Sequence, residues 1–274
     1  GTLSLNGLTT LSAAAATALG QKQTDHFGLD VLSLNGLTTL STEAVKALAE
    51  YKGWGLSLNG LTELSDEAAH ALAQRDKRLA LDGLTMLSDE ASKMLAAHKG
   101  DDLSLNGLTT LSDEAAKAFA QRKELPRLAG LTTLSDAAVK ALAQHAETRK
   151  EGKRAFLALD RLTTLSDGAA QALAEHGISD LSLNGLTSLS VEAARSLAKR
   201  TKELSLNGLT EISDEAVKAL AQCKGDLSLN GLTTLSDAAV EALAGHNGSL
   251  SLNGLTTLSD EAAEVLARHQ GDLY

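Results

Sequence analysis

The sequence is short of most things that an ordinary domain of its length uses. Three Phe, two Tyr and one Trp are its only aromatic residues in 274, too few to fill a bulky globular core. One cysteine, Cys223, excludes an internal disulfide framework and leaves the redox compartment open. One proline, Pro126, leaves most of the chain free to form regular elements. No apolar run approaches the ~18 residues that would cross a bilayer. Basic residues are outnumbered, 25 Lys+Arg against 35 Asp+Glu for a net charge of −10, which argues against a nucleic-acid groove. Neither a Walker-type phosphate loop nor a GxGxxG turn occurs. The first residues, Gly-Thr-Leu-Ser, already belong to a repeat, so any signal peptide or N-terminal domain is expected to lie outside this chain.

What is abundant is leucine, 55 residues of it, with much alanine. The phrase LSLNGLT recurs, followed by something close to TLSDEAAKALAQHKGD. Its first leucine, or the equivalent residue, falls at Leu3, Leu32, Leu56, Leu79, Leu103, Pro126, Leu157, Leu181, Leu204, Leu227, Leu250 and Leu273. The steps are 29, 24, 23, 24, 23, 31, 24, 23, 23, 23 and 23 residues, which makes eleven units and the start of a twelfth. Such a period is the mark of a repeat architecture. Two units are lengthened by insertions, near 21–31 and 147–155.

Each unit reads as strand, turn, helix and turn. In Leu103-Ser104-Leu105 the alternation buries both leucines and exposes the serine. Asn106-Gly107 turns the chain, with glycine free to take a positive φ. Leu108 and Leu111 point inward. Ser112 is a good N-cap, and Asp113 and Glu114 put negative charge where the helix dipole favours it. Leu111, Ala115, Ala118 and Phe119 share a helical face. Lys99-Gly100 and Lys224-Gly225 suit a helix end, a cation in the last turn with glycine past it. A helix of ~10 residues is too short to stand alone, so it must stack on its neighbours.

Parallel strands stack ~4.8 Å apart and helices ~8–10 Å apart. A coil with strands on one side and helices on the other must then curve, strands inside, by roughly 15–20° per repeat. The expected fold is an α/β solenoid: a horseshoe, about half a circle, with short parallel strands on the concave side and short helices on the convex side.

The unit resembles a leucine-rich repeat over the whole chain. Two bacterial subclasses are similar. Leu108-Thr109-Thr110-Leu111-Ser112-Asp113-Glu114-Ala115 resembles the L-T-S-I-G-x-x-A phrase of BspA-like repeats, with serine for the glycine. Ala115-Ala116-Lys117-Ala118-Phe119-Ala120 resembles the G-A-x-A-L-A ending of GALA-like repeats. The usual leucine-rich repeat carries its ladder asparagine where this chain has Leu108; its own asparagine comes two residues earlier, at Asn106. The resemblance implies a non-enzymatic scaffold that binds a protein on its concave face. BspA-like relatives imply a bacterial cell-surface or adhesive role.

Stacked units turn positions into rows, and the breaks in rows are candidates for function. Asn6, Asn35, Asn59, Asn106, Asn184, Asn207, Asn230 and Asn253 form one row, in which each amide is expected to donate to one neighbouring coil and accept from the other. Asp82, Ala129 and Asp160 break it and are expected to be weak links. Ser4, Ser33, Ser57, Ser104, Ser182, Ser205, Ser228 and Ser251 form a second, expected to be a smooth concave surface, broken by Ala80, Arg127 and Ala158. Arg161 breaks the glycine row and is expected to be strained wherever φ is positive. The longer insertion is basic, through Arg149, Lys150, Lys153 and Arg154. All these breaks fall within residues 79–165. They mark either a recognition patch, with Arg127 and Arg161 as anchors of the kind interfaces favour, or drift where the fold tolerates it. The other insertion holds His26 and Phe27.

Catalytic chemistry is not expected, nor a cofactor. His98, His145, His176, His246 and His269 share a row at the helix C-terminus with Tyr51, Arg75, Arg122, Arg200 and Cys223, where the dipole favours a cation. A metal needs ligands that converge, and these would stand a helix spacing apart. Serine and aspartate recur as helix caps, not as one singular triad. The sequence leaves three roles open: a protein-binding scaffold, a self-assembling surface protein stacked end to end, and a targeting domain of a larger protein.

Overall fold

The computed structural model describes residues 1–22, 30–148, 156–176, 178, 180–200 and 202–274. They fall into two compact units, Gly1–Leu131 and Thr132–Tyr274. The first unit runs β1 (Thr2–Ser4), α1 (Ala13–Gly20), β2 (Val31–Ser33), α2 (Thr42–Ala49), β3 (Gly55–Ser57), α3 (Asp66–Ala73), β4 (Arg78–Ala80), α4 (Asp89–Ala96), β5 (Leu103–Ser104) and α5 (Asp113–Ala120). The second runs α6 (Asp136–Thr148), β6 (Phe156–Ala158), α7 (Asp167–Glu175), β7 (Asp180–Ser182), α8 (Val191–Leu197), β8 (Leu204–Ser205), α9 (Asp214–Leu220), β9 (Leu227–Ser228), α10 (Asp237–Ala244), β10 (Leu250–Ser251) and α11 (Asp260–Leu266). Short parallel strands alternate with helices and pair in sequence order, β1 to β5 in one sheet and β6 to β10 in the other. This is an α/β solenoid.

The marker leucines are register partners. Leu3 pairs with Leu32, Leu32 with Leu56, Leu56 with Leu79 and Leu79 with Leu103. Leu157, Leu181, Leu204, Leu227 and Leu250 do the same in the second unit. In this register the marker residue donates its N–H forward to the next coil, Leu79 to Asp102 O at 3.0 Å and Leu204 to Asp226 O at 2.9 Å. Pro126 holds the marker position of the sixth repeat and has no N–H to hand on. The strand ladder of the first unit reaches that repeat only as an isolated bridge, Ser104 to Arg127.

Leucines fill the space between strand and helix. Leu34, Leu58, Leu81 and Leu105, at the second inward strand position, are fully buried, as are Leu37, Leu84 and Leu108 after the turn. Each contributes about 1.5–3 kcal/mol by leaving water. In α5 the buried face is Ala115, Ala116 and Phe119. Ala118, expected on that face, is only half-buried.

The helix starts follow expectation and add a bond. Ser65, Ser88, Ser112 and Ser190 each accept the N–H of the residue three positions on, as N-caps do. Their hydroxyls then have a proton to give. Ser88 donates to Asp66 Oδ1 at 2.6 Å, Ser190 to Asp167 at 2.5 Å, and Ser112 to Asp89. The first-turn aspartate thus serves its own dipole and the next coil's cap.

The glycines depart from expectation. None of the described ones has a φ in the left-handed region between +20° and +160°. A Cβ on Gly60 would lie 2.2 Å from Asn35 O and 2.5 Å from Leu37 O, in the preceding coil, whereas Gly7 in the first coil meets nothing within 4 Å. Close approach between coils is what requires glycine, so the strain expected at Arg161 from a positive φ has no counterpart in its row. Helix ends differ likewise. The C-caps include Gln74, Ala97 and Gln121 in right-handed conformation, and Gly100 lies beyond the end, where a Cβ would meet Lys77 O at 2.6 Å.

Candidate binding surface

The strand face is held by a ladder of serine and asparagine. Asn35 Oδ1 accepts from Ser57 Oγ at 2.8 Å and from Asn59 N at 2.9 Å in the next coil. Asn207 Nδ2 donates at 2.9 Å to Ser205 Oγ of its own coil, and Asn207 Oδ1 accepts at 2.7 Å from Ser228 Oγ of the next. The amide therefore accepts across coils and donates within one, contrary to the expected donation to one neighbour and acceptance from the other. Serine hydroxyls are spent in this ladder, and Ser33 and Ser104 are buried. They do not form the bare hydroxyl surface expected of them.

Nor are the aspartates weak links. Asp82 Oδ1 accepts from Ser104 Oγ at 2.6 Å and from Asn106 N at 2.8 Å, as an asparagine would. Asp160 accepts from Ser182 Oγ and, at 3.2 Å, from Asn184 N. What a carboxylate cannot do is donate to the serine two residues earlier. In both repeats that serine is an alanine, Ala80 or Ala158. The substitutions are paired, each removing the need for the other. In a double-mutant cycle, Ala80→Ser with Asp82→Asn should be more stable than the sum of the single changes by about 1 kcal/mol. Additive denaturation midpoints would show that the pairing is accidental.

The opposite end of each helix carries a second ladder. Arg122 is 9% exposed, and its guanidinium donates to Leu95 O (3.1 Å), Ala96 O (3.2 Å), His98 O (2.7 Å), Gly100 O (2.8 Å) and Glu124 O (3.0 Å). Arg75 reaches Ala49 O, Tyr51 O and Gly53 O, and Arg200 reaches Leu173 O and Ile178 O. His98 Nδ1 donates to Arg75 O at 2.6 Å. These side chains cap the preceding coil's helix as well as suiting their own dipole, the only role expected of them. Burial lowers the pKa of Arg75, Arg122 and Arg200 from the ordinary guanidinium value. It also lowers that of His98, where Arg122 and Arg75 add repulsion. His246 and His269 stack with centroids 6.1 Å apart, closer than a helix spacing. Among the described residues no three His, Cys, Asp or Glu side chains could hold a metal, and no helix is long and apolar enough to cross a membrane.

With the ladders accounted for, the candidate residues separate. Ala80 is 4% exposed. Asp82 is half-buried in its ladder, while Arg127, Asp160 and Arg161 are exposed. Ala158 pairs with Ser182 across β6 and β7. Arg149, Lys150, Lys153 and Arg154 lie outside the described residues, as do His26 and Phe27. Ala80, Asp82 and Arg127 belong to the first unit, Ala158, Asp160 and Arg161 to the second.

Sequence reasoning missed the other outward strand position, the residue before each marker. Strand alternation places it on the same face as the serine row. It reads Thr2, Val31, Gly55, Arg78, Asp102 and Leu125 in the first unit, and Asp180, Glu203, Asp226, Ser249 and Asp272 from β7 onward in the second. Arg78 Nε lies 3.3 Å from Asp102 Oδ2, and Arg127 Nη2 lies 3.3 Å from Asp102 Oδ1. Trp54, 45% exposed, precedes β3.

No family model matches the sequence, and no curated protein does. Among solved structures the chain is similar to a leucine-rich-repeat protein of Leptospira interrogans, with TM-score 0.38 and 17% identity over 98% of this chain and 94% of that one. It is also similar to a chain of the yeast Rad7–Elc1 complex, with TM-score 0.35 and 16% identity over 93% of this chain and 76% of that one. The coils themselves, with leucines in register and a side-chain ladder beside each strand, fit a leucine-rich-repeat fold.

Proposed function

We propose that the chain is a non-enzymatic scaffold that binds another protein on the strand face of its repeats, used as a single array. The observation that carries this is a subtraction. Serine, asparagine, helix-cap aspartate and the buried arginines and histidines are all engaged in holding coil to coil. The charged side chains on and beside the strand face, Arg78, Arg127, Arg161 and Glu203, stand outside those ladders, and they vary where the ladder rows repeat. Arginine is favoured at interface centres. The exposed Asp160 and the basic insertion residues Arg149, Lys150, Lys153 and Arg154 belong to the same proposal. The overall negative charge keeps nucleic acid out of it.

The test is a selection of displayed random peptides on the immobilised protein. Enriched peptides should bind the protein and lose roughly tenfold or more in affinity when Arg78, Arg127, Arg161 and Glu203 are changed together to Ser. No enrichment, or affinity unchanged in that variant, would overturn a strand-face scaffold.

A further inference from the structure

We infer that Arg78 and Arg127 form a docking site for an extended acidic segment of a partner protein. This deepens the scaffold reading and rests on it. Gly55 carries no side chain in a row that otherwise does. A Cβ there would lie 3.3 Å and 3.4 Å from the two Val31 methyl groups and 3.7 Å from Arg78 Cδ. Gly55 is itself buried, so Val31 and the aliphatic stem of Arg78 close over it, which braces that stem on the strand face.

Charge supplies the rest. Arg78 and Arg127 flank Asp102, which fixes both guanidiniums while remaining one carboxylate against two cations. Their side chains are 41% and 60% exposed. A guanidinium has five N–H donors, so each arm keeps donors beyond its contact with Asp102. In a chain of net charge −10 this is a local cationic site, and a carboxylate is the group its fork geometry fits. Gly55, Arg78 and Arg127 belong to the third, fourth and sixth repeats. Both guanidiniums reach the one carboxylate of Asp102, so their charged ends lie within about 9 Å, about two residues of an extended peptide. Carboxylates two positions apart, on the same face of an extended peptide, match that spacing.

The chain contains one tryptophan, Trp54, whose carbonyl accepts the Arg78 N–H at 2.9 Å, so its emission has a single source next to β4. The probe is the capped peptide Gly-Phe-Ser-Glu-Ser-Glu-Glu-Gly. Its addition should shift Trp54 emission saturably, with affinity that falls as salt is raised. The variant Arg78→Ser with Arg127→Ser, checked for an unchanged thermal midpoint, should lose at least roughly tenfold in affinity. Replacement of the three glutamates by lysine should abolish binding. An emission that does not move, or equal affinity in the double variant, would overturn the site. If the site fails while displayed peptides still select for the strand face, the scaffold reading stands and only this docking site is wrong. If both fail, both readings are wrong.

Discussion

Gly231→Ala should destabilise the protein by about 3 kcal/mol, whereas Gly7→Ala at the same place in its own repeat should cost nothing. Overpacking usually costs 1–3 kcal/mol, and the upper end applies where the obstruction is backbone. At Gly231 a Cβ would lie 2.3 Å from Asn207 O and 2.5 Å from Leu209 O. Those oxygens belong to the turn of the preceding coil and cannot rotate away as a side chain would. The coils must separate there, and separation stretches the hydrogen bond that the Asn230 N–H donates to Asn207 Oδ1, now 2.9 Å. At Gly7 nothing lies within 4 Å, and alanine restricts the unfolded chain, a gain of about 0.4–1 kcal/mol. Thermal midpoints followed by circular dichroism compare the two. At about 2–4 °C per kcal/mol, the interior change should lower the midpoint by roughly 6–12 °C. Equal midpoints for both variants would mean that the glycine row serves turn formation, not coil spacing.

That contrast shows what a sequence can and cannot say about this fold. A repeated Asn-Gly announces a turn, and the spacing of the leucines gives strand register directly. Whether glycine is there for its φ or for its bareness depends on what the neighbouring coil places against it, which no single repeat contains. The ladder asparagine was hidden for a related reason. It stands two residues from its usual place in such repeats, and its partners are a serine two residues back and another one repeat ahead. Only rows read in pairs reveal it: Ala80 accompanies Asp82, Ala158 accompanies Asp160, and Arg127 accompanies Ala129. Arg78 and Asp102 were legible from strand alternation, because the positions either side of a buried leucine face the same way. They escape notice when attention follows the conspicuous serine row alone.

The helix-end ladder carries the same lesson into a prediction. Arg122→Ala should cost about 3 kcal/mol or more, because five carbonyls lose a charged donor and most of them lie out of reach of water. A histidine at that position should not restore stability by itself. Ring residues in this row are followed two positions later by glycine: Tyr51 by Gly53, His98 by Gly100, His246 by Gly248 and His269 by Gly271. The reason is spatial: a Cβ on Gly100 would lie 2.6 Å from Lys77 O and 2.9 Å from His98 Cε1, and one on Gly248 would lie 2.4 Å from Gly225 O and 2.9 Å from His246 Nε2. Arginine reaches past that place, and Arg75, Arg122 and Arg200 are followed there by Lys77, Glu124 and Lys202. His145 and His176 do not follow the rule; the first stands at the basic insertion. The row is therefore built mainly from two interchangeable caps, ring-x-Gly and Arg-x-charged. Arg122→His should be nearly as damaging as Arg122→Ala, and adding Glu124→Gly should recover about half of the loss, read from denaturant midpoints. If Glu124→Gly brings nothing back, the ring and the glycine are not a unit. Arginine would then be needed at this coil for its five bonds alone.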